Sequence, residues 1–198
     1  MALIEQWNCD SGSKLWLFEI PSTSQMYEET GKNYTQRELE AMVVQEVIAQ
    51  NYTNQQLSKD EFGKPYLSPK QTEINYSHTK DFLFWGENVA HQIGVDIETL
   101  RPQLAKIKGK FCREDEFEFI PTDNELPYLL AIWSAKESIY KAFGKKEVDF
   151  REHMQILPFE LTSTGSLHAN FLLHKPQKYE VYYKWEGSYF MSWTLKKD

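Results

Sequence analysis

Cysteine is scarce in this chain. Cys9 and Cys112 are the only two in 198 residues, too few for a disulfide framework or a cysteine-based zinc site. Positive charge is in deficit as well, with 22 basic against 29 acidic residues and a formal net charge of −7. That balance excludes broad nucleic-acid binding, which needs a basic footprint, although a few placed cations can still dominate the field around one small anion. No long apolar run occurs, so no membrane span is expected. The opening residues lack a basic start followed by an apolar stretch, so no signal peptide is expected. There is no Gly-x-Ser-x-Gly elbow, no Gly-x-x-x-x-Gly-Lys-Ser/Thr loop and no kinase signature, which removes the usual support for serine hydrolysis and for ATP phosphotransfer. His91, His153, His168 and His174 have no spacing that converges on a metal. The expectation is a reduced, cytoplasmic protein.

What the chain does have is aromatic bulk, 15% of its residues, enough to build a sizeable core from large rings. Its length suits one large domain or two of about 100 residues. A first strand is expected over residues 14–20. Thr35-Gln36-Arg37-Glu38 has the spacing of a capping box, opening a helix to about Gln50 with Leu39, Met42, Val43, Val47 and Ile48 on one side. Three strands follow over 73–79, 81–86 and 91–98. Arg101-Pro102 then breaks the pattern, and Phe111, Phe117 and Phe119 punctuate a charged segment. A helix from about Pro127 to Gly144 leads to a β-meander over 166–174, 179–185 and 189–195. The fold class is therefore α+β: two similar halves in a pseudo-twofold arrangement, each a long helix packed on a small antiparallel sheet. The boundary falls at 98/99, giving halves 1–98 and 99–198 that form one functional unit.

Two stretches stand out chemically. In the second-half helix, Leu129, Ile132, Trp133, Ile139, Tyr140 and Phe143 fall on one arc, with Glu137 and Lys141 one turn apart at its rim. An isolated pair of that kind contributes only about 0.3–0.5 kcal/mol. Upstream, Gly94-Val95-Asp96-Ile97-Glu98 alternates strictly, so Asp96 and Glu98 share a strand face opposite Ile93, Val95 and Ile97, their Cα atoms roughly 6.5–7 Å apart. Alone this could be a solvated outer face. With a cation between them, such oxygen ligands suit Mg²⁺ or Mn²⁺.

Taken together, Gly94-Val95-Asp96-Ile97-Glu98 and Trp133-Ser134-Ala135-Lys136-Glu137-Ser138, with Lys141 and Gly144, resemble the paired signature of 4′-phosphopantetheinyl transferases. Phe62-Gly63-Lys64-Pro65 and Asn75-Tyr76-Ser77-His78 fit the same family in the same order, so the resemblance covers residues 62 to 144. The length is that of the two-halved type that activates acyl and peptidyl carrier proteins; the short trimeric holo-carrier-protein synthase type is nearer half as long. The resemblance implies transfer of the phosphopantetheine arm of coenzyme A to a serine of an apo acyl or peptidyl carrier protein, releasing 3′,5′-ADP, by a monomer acting without nucleic acid or membrane.

It also implies roles. Asp96, Glu98 and Glu137 would hold Mg²⁺, or Mn²⁺, against the pyrophosphate. Lys141 would reach the phosphate oxygens as a point charge. Glu137 or a water on the metal would take the serine proton, and these two remain alternatives. Lys64, Ser77 and His78 match positions that bind the nucleotide end of coenzyme A, with His78 facing the 3′-phosphate. One departure stands out. The family usually carries further cations on or before the first helix, whereas this helix has Ala41-Met42-Val43-Val44-Gln45 at its middle and only Arg37, with Lys32 before it, near its start. The competing reading is a catalytically silent module of the same fold that binds a carrier or coenzyme A. Phe111 and Phe117 are expected in the core rather than on a docking surface, as are Trp85, Trp185 and Trp193.

Overall fold

The computed structural model describes residues 2–9 and 12–196, and the chain divides between Ala90 and His91. In the first unit, β2 (Ser13–Glu19) pairs antiparallel with β1 (Ala2–Asn8) and with β6 (Phe82–Asn88). A further strand, β5 (Glu73–His78), completes the sheet in the order β1-β2-β6-β5. Its helix, α2 (Gln36–Asn51), starts at the capping box expected from Thr35 and Glu38, with both reciprocal hydrogen bonds formed. The buried Leu39, Val43, Val44, Val47 and Ile48 of α2 share one core with Trp16, Phe18, Ile74, Leu83 and Trp85 of the sheet. Met42, expected on that side, is exposed.

Two elements of this unit have no counterpart in the sequence reading. Strand β1 is an edge strand with mostly exposed residues and a shift of register between Leu3 and Glu5. Helix α1 (Thr23–Thr30) buries no residue, so it lacks the apolar stripe that betrays a helix. A small hairpin, β3 (Gln56–Lys59) with β4 (Pro65–Ser68), turns through Gly63 at φ +90°. The Asp60 carboxylate accepts from the backbone N–H groups of Phe62 and Lys64, each at 2.9 Å.

The second unit holds a five-stranded antiparallel sheet in the order β7-β11-β10-β9-β8, built from β7 (Gln92–Thr99), β8 (Met154–Ile156), β9 (Thr164–Phe171), β10 (Gln177–Glu186) and β11 (Tyr189–Lys196). The expected meander is β9-β10-β11. Strand β7 does not join β6, its predecessor in sequence. It pairs with β11 from Thr99 opposite Tyr189 to Gln92 opposite Lys196. The boundary at 98/99 is therefore corrected to 90/91, and Asp96 and Glu98 stand in the same unit as Glu137 and Lys141. Sequence neighbours usually pair, but eight matched residues on β11 outweigh that preference.

Helix α4 (Glu125–Phe143) packs on β7 and β11. It ends at Gly144, whose φ of 71° is left-handed and whose N–H bonds back to Tyr140. Helix α3 (Gln103–Phe111), a 3-10 turn over Asp115–Phe119 and the short α5 (Phe150–His153) complete this unit. The expected single apolar arc of α4 is too narrow. Residues all round the helix are buried, including Ala131, Ser134, Ala135, Lys136 and Ser138. Such all-round burial marks a helix with neighbours on every side. Phe111, Trp85 and Trp193 are buried and Trp185 packs against the core, whereas Phe117, expected in the core, is exposed, with the Lys108 ammonium 5.6 Å from its ring centre.

Candidate active site

The site begins with an approach that only glycine permits. A Cβ on Gly94 would lie 1.9 Å from the Ser138 carbonyl oxygen and 2.5 Å from the Ala142 backbone nitrogen. Both are backbone atoms of α4, so neither can swing aside. The helix thus rests directly on the strand face that carries Asp96 and Glu98, and that face is not solvated. Gly94→Ala is expected to lower stability by about 1–3 kcal/mol, the usual cost of overpacking, or more because backbone must move. Thermal unfolding measures it, and an unchanged midpoint would show that α4 does not need this contact.

Asp96 is 3% exposed. One carboxylate oxygen accepts from the Ser134 hydroxyl at 2.8 Å and the other from the Lys141 ammonium at 2.7 Å. Glu98 accepts from the Trp133 indole N–H at 2.9 Å and from Arg101 at 2.7 Å. Burial raises the Glu98 carboxyl above its usual range, the Asp96 charge adds to this, and Trp133, Arg101 and Lys141 oppose it. Glu137 is pushed up to about 7, first by burial and then by Asp96, with Lys141 opposing and Glu98 adding. Three carboxylates therefore stand against two cations, Lys141 on Asp96 and Arg101 on Glu98, which leaves one negative charge in excess. In kind, this donor set fits a hard divalent cation. In the present arrangement Lys141 occupies Asp96, and among the described residues no three acidic, histidine or cysteine side chains are grouped around one point. Cys112 offers no nucleophile, since burial, then Glu116, pushes its thiol up to about 12.

Asp96, Glu98, Glu137 and Lys141 are thus brought together by β7 and α4 of one unit. Lys64, Ser77, His78 and Arg37 belong to the other. Lys64 directly precedes β4, where the β3–β4 turn closes, and Ser77 and His78 end β5. Arg37 is exposed in the first turn of α2. The His78 ring nitrogen lies 3.4 Å from the Glu40 carboxylate of α2, an ion pair when the ring is protonated. The helix that lacks a cation at its middle thus presents an acid beside His78.

Several contributors escaped the sequence reading. Trp133 and Ser134 donate to Glu98 and Asp96, and no local pattern reveals this, because the partners lie 35 and 38 residues away. Lys136 is fully buried, its ammonium 2.8 Å from the equally buried Glu116. It also donates to the carbonyls of Phe111, Phe150 and Met154 at 2.7–3.2 Å. A groove lined by Phe111, Trp133, Tyr140, Val148 and Phe150 opens beside Glu137.

Part of the chain is similar to known proteins. The chain is 29% identical over 90 residues to the 4′-phosphopantetheinyl transferase gsp of Aneurinibacillus migulanus, covering 44% of this chain and 37% of that protein. It is 31% identical over 91 residues to the 4′-phosphopantetheinyl transferase HetI of Nostoc sp., covering 41% and 38%. With the 4′-phosphopantetheinyl transferase ffp of Bacillus subtilis it shares 30% identity over 112 residues, covering 52% and 50%. The matched part thus spans half or less of each relative. A family model, that of the 4′-phosphopantetheinyl transferase superfamily, matches residues 92–194. Both β7 and α4 fall inside that match, and the chain belongs to the 4′-phosphopantetheinyl transferase superfamily.

Proposed function

We propose that the protein moves the 4′-phosphopantetheine arm of coenzyme A onto a serine of an apo acyl or peptidyl carrier protein in the cytoplasm, with Mg²⁺ and with release of 3′,5′-ADP. The observation that carries this reading is the convergence of Asp96, Glu98, Glu137 and Lys141 from β7 and α4, within the stretch that matches the family. Asp96, Glu98 and Glu137 would hold the cation. When bound, it would neutralise charge on the pyrophosphate. The serine oxygen forms a bond to the β-phosphorus, and the bond to the nucleotide oxygen breaks, its electron pair leaving with 3′,5′-ADP. Lys141 releases Asp96 and turns to the phosphate oxygens, where negative charge grows. Glu137, or a water on the cation, would accept the serine proton.

The same reading takes the two units as a pseudo-twofold pair acting as one monomeric functional unit. Support comes from each unit packing one long helix on an antiparallel sheet. Lys64, Ser77, His78 and Arg37 are assigned to the nucleotide end of coenzyme A. No helix among the described residues is long and apolar enough to cross a membrane. The direct test is to incubate the protein with coenzyme A, Mg²⁺ and an apo carrier protein and weigh the carrier. A gain of the phosphopantetheine mass supports the transferase, and binding without gain supports the silent module.

His78→Ala tests the nucleotide assignment. It is expected to weaken coenzyme A binding roughly ten- to a hundredfold, on the scale of about 1.5–3 kcal/mol for a charge-assisted hydrogen bond. An analogue lacking the 3′-phosphate is expected to lose less. Equal weakening of both ligands, measured by calorimetry, would leave His78 as a packing partner of Glu40.

A further inference from the structure

Three serines meet where α4 crosses the sheet, and all three are fully buried. They are Ser134 and Ser138 on the helix and Ser192 on β11. Ser192 lies directly opposite Asp96 in the ladder, so its side chain shares the Asp96 face. The Ser134 and Ser192 hydroxyl oxygens are 2.9 Å apart, and those of Ser138 and Ser192 are 2.5 Å apart. Ser192 also donates to the Ser134 carbonyl at 2.9 Å.

Counting protons gives this chain a direction. A hydroxyl has one proton to donate, and an ionised carboxylate only accepts. Ser134 gives its proton to Asp96 at 2.8 Å. Ser192 spends its one proton on the Ser134 carbonyl at 2.9 Å, which ties Ser134 to β11, and Ser138 in turn donates to Ser192. Ser134 is thus held by β11 through its carbonyl while its own hydroxyl is committed to Asp96. With one Asp96 oxygen fixed in this way, the other is left for Lys141, 2.7 Å away.

We propose that Ser134, backed by Ser192, is a positioning residue that aims the Asp96 carboxylate, holding one oxygen so that the other is presented to the cation-binding side of the site. This rests on the transferase reading given above. Ser134 does not touch a reacting atom. It acts through Asp96, as the partners of metal ligands commonly do.

The test is Ser134→Ala, read by Mn²⁺ binding followed by electron paramagnetic resonance, with coenzyme A present and the carrier omitted. Loss of such a partner typically weakens metal affinity about ten- to a hundredfold, and that fall is the expected result. Thr194→Val is the control. Thr194 is fully buried on β11, the strand of Ser192, and its hydroxyl bonds to the Glu180 carbonyl at 2.7 Å. Its loss is expected to lower the melting temperature without moving Mn²⁺ affinity. Should Ser134→Ala not fold, Ser134→Cys keeps the volume and donates only weakly, and it carries the same expectation. Unchanged Mn²⁺ affinity in a folded Ser134 variant, in a wild type that transfers the arm, overturns the positioning role and leaves the transferase standing. A wild type that transfers nothing overturns both.

Discussion

Glu137→Gln is expected to lower arm transfer by at least about 10²-fold, the scale of a lost catalytic proton transfer, while leaving α4 folded. Gln keeps the size of Glu and its tolerance for helix but removes both a hard-metal ligand and a base. Raised Mg²⁺ is expected to recover part of the activity if Glu137 is chiefly a ligand, and little if it is chiefly the base. Lys141→Ala provides the comparison. It should lower turnover through lost stabilisation of phosphate charge, without that Mg²⁺ dependence. Near wild-type rates in both variants would remove the mechanism.

The same substitution has a stability signature of opposite sign. The Glu137 carboxyl is pushed up to about 7 by burial and by Asp96, so between the ordinary carboxyl range and pH 7 the folded protein binds more protons than the unfolded chain. Stability contributed by this group is full at low pH and is lost as pH rises through about 7. Gln never ionises. In metal-free protein Glu137→Gln is therefore expected to melt above wild type at pH 8, with the gap closing toward pH 5 or below. Higher stability with lower activity is the pattern of a group kept for function. A variant that melts below wild type at pH 8 would contradict the electrostatic strain assigned to this site.

How much of this was legible depends on whether a residue's partner lies nearby in sequence. The α2 start was legible because Thr35 and Glu38 cap each other across three residues. The α4 end was legible because Gly144 closes it locally. The Asp96–Glu98 face followed from strict alternation, whereas the grouping of those acids with Glu137 and Lys141 was implied only by the family resemblance. The choice of sheet for β7 did not follow, because its partner β11 lies about 90 residues downstream. Gly94 looked like one more strand residue until α4 was found lying on it. Helix α1 left no trace because it buries nothing. Lys136 and Glu116 were hidden for a different reason. A lysine beside a glutamate on a helix, and an acid in the run Arg113-Glu114-Asp115-Glu116, both read as solvated surface, and only the tertiary fold reveals that they meet.

Lys136→Met is where that hidden pair is expected to show its weight. Lys136 and Glu116 are both fully buried, and each Glu116 oxygen lies 2.8 Å from the ammonium. Burial lowers the Lys136 pKa, and Glu116 opposes the shift. Glu116 also accepts from the backbone N–H groups of Arg113 at 2.8 Å and Ile156 at 2.7 Å. The pair therefore joins the end of α3, α5 and β8 to α4 one residue before Glu137. Removing the cation alone leaves a buried carboxylate uncompensated, which typically costs about 3–5 kcal/mol. Lys136→Met is thus expected to lower the melting temperature strongly and to reduce transfer, since Phe111 and Phe150 beside the Glu137 groove lose their tether. Glu116→Gln leaves the opposite charge stranded. Its damage is expected to ease as pH rises, because a lysine with a depressed folded pKa sheds its proton and the folded state gains relative to the unfolded. The double variant leaves no buried charge and is expected to be more stable than the two single losses added together, by on the order of 1–3 kcal/mol of coupling. Strict additivity in calorimetry would mean that the two side chains stabilise this unit separately, through their backbone partners alone.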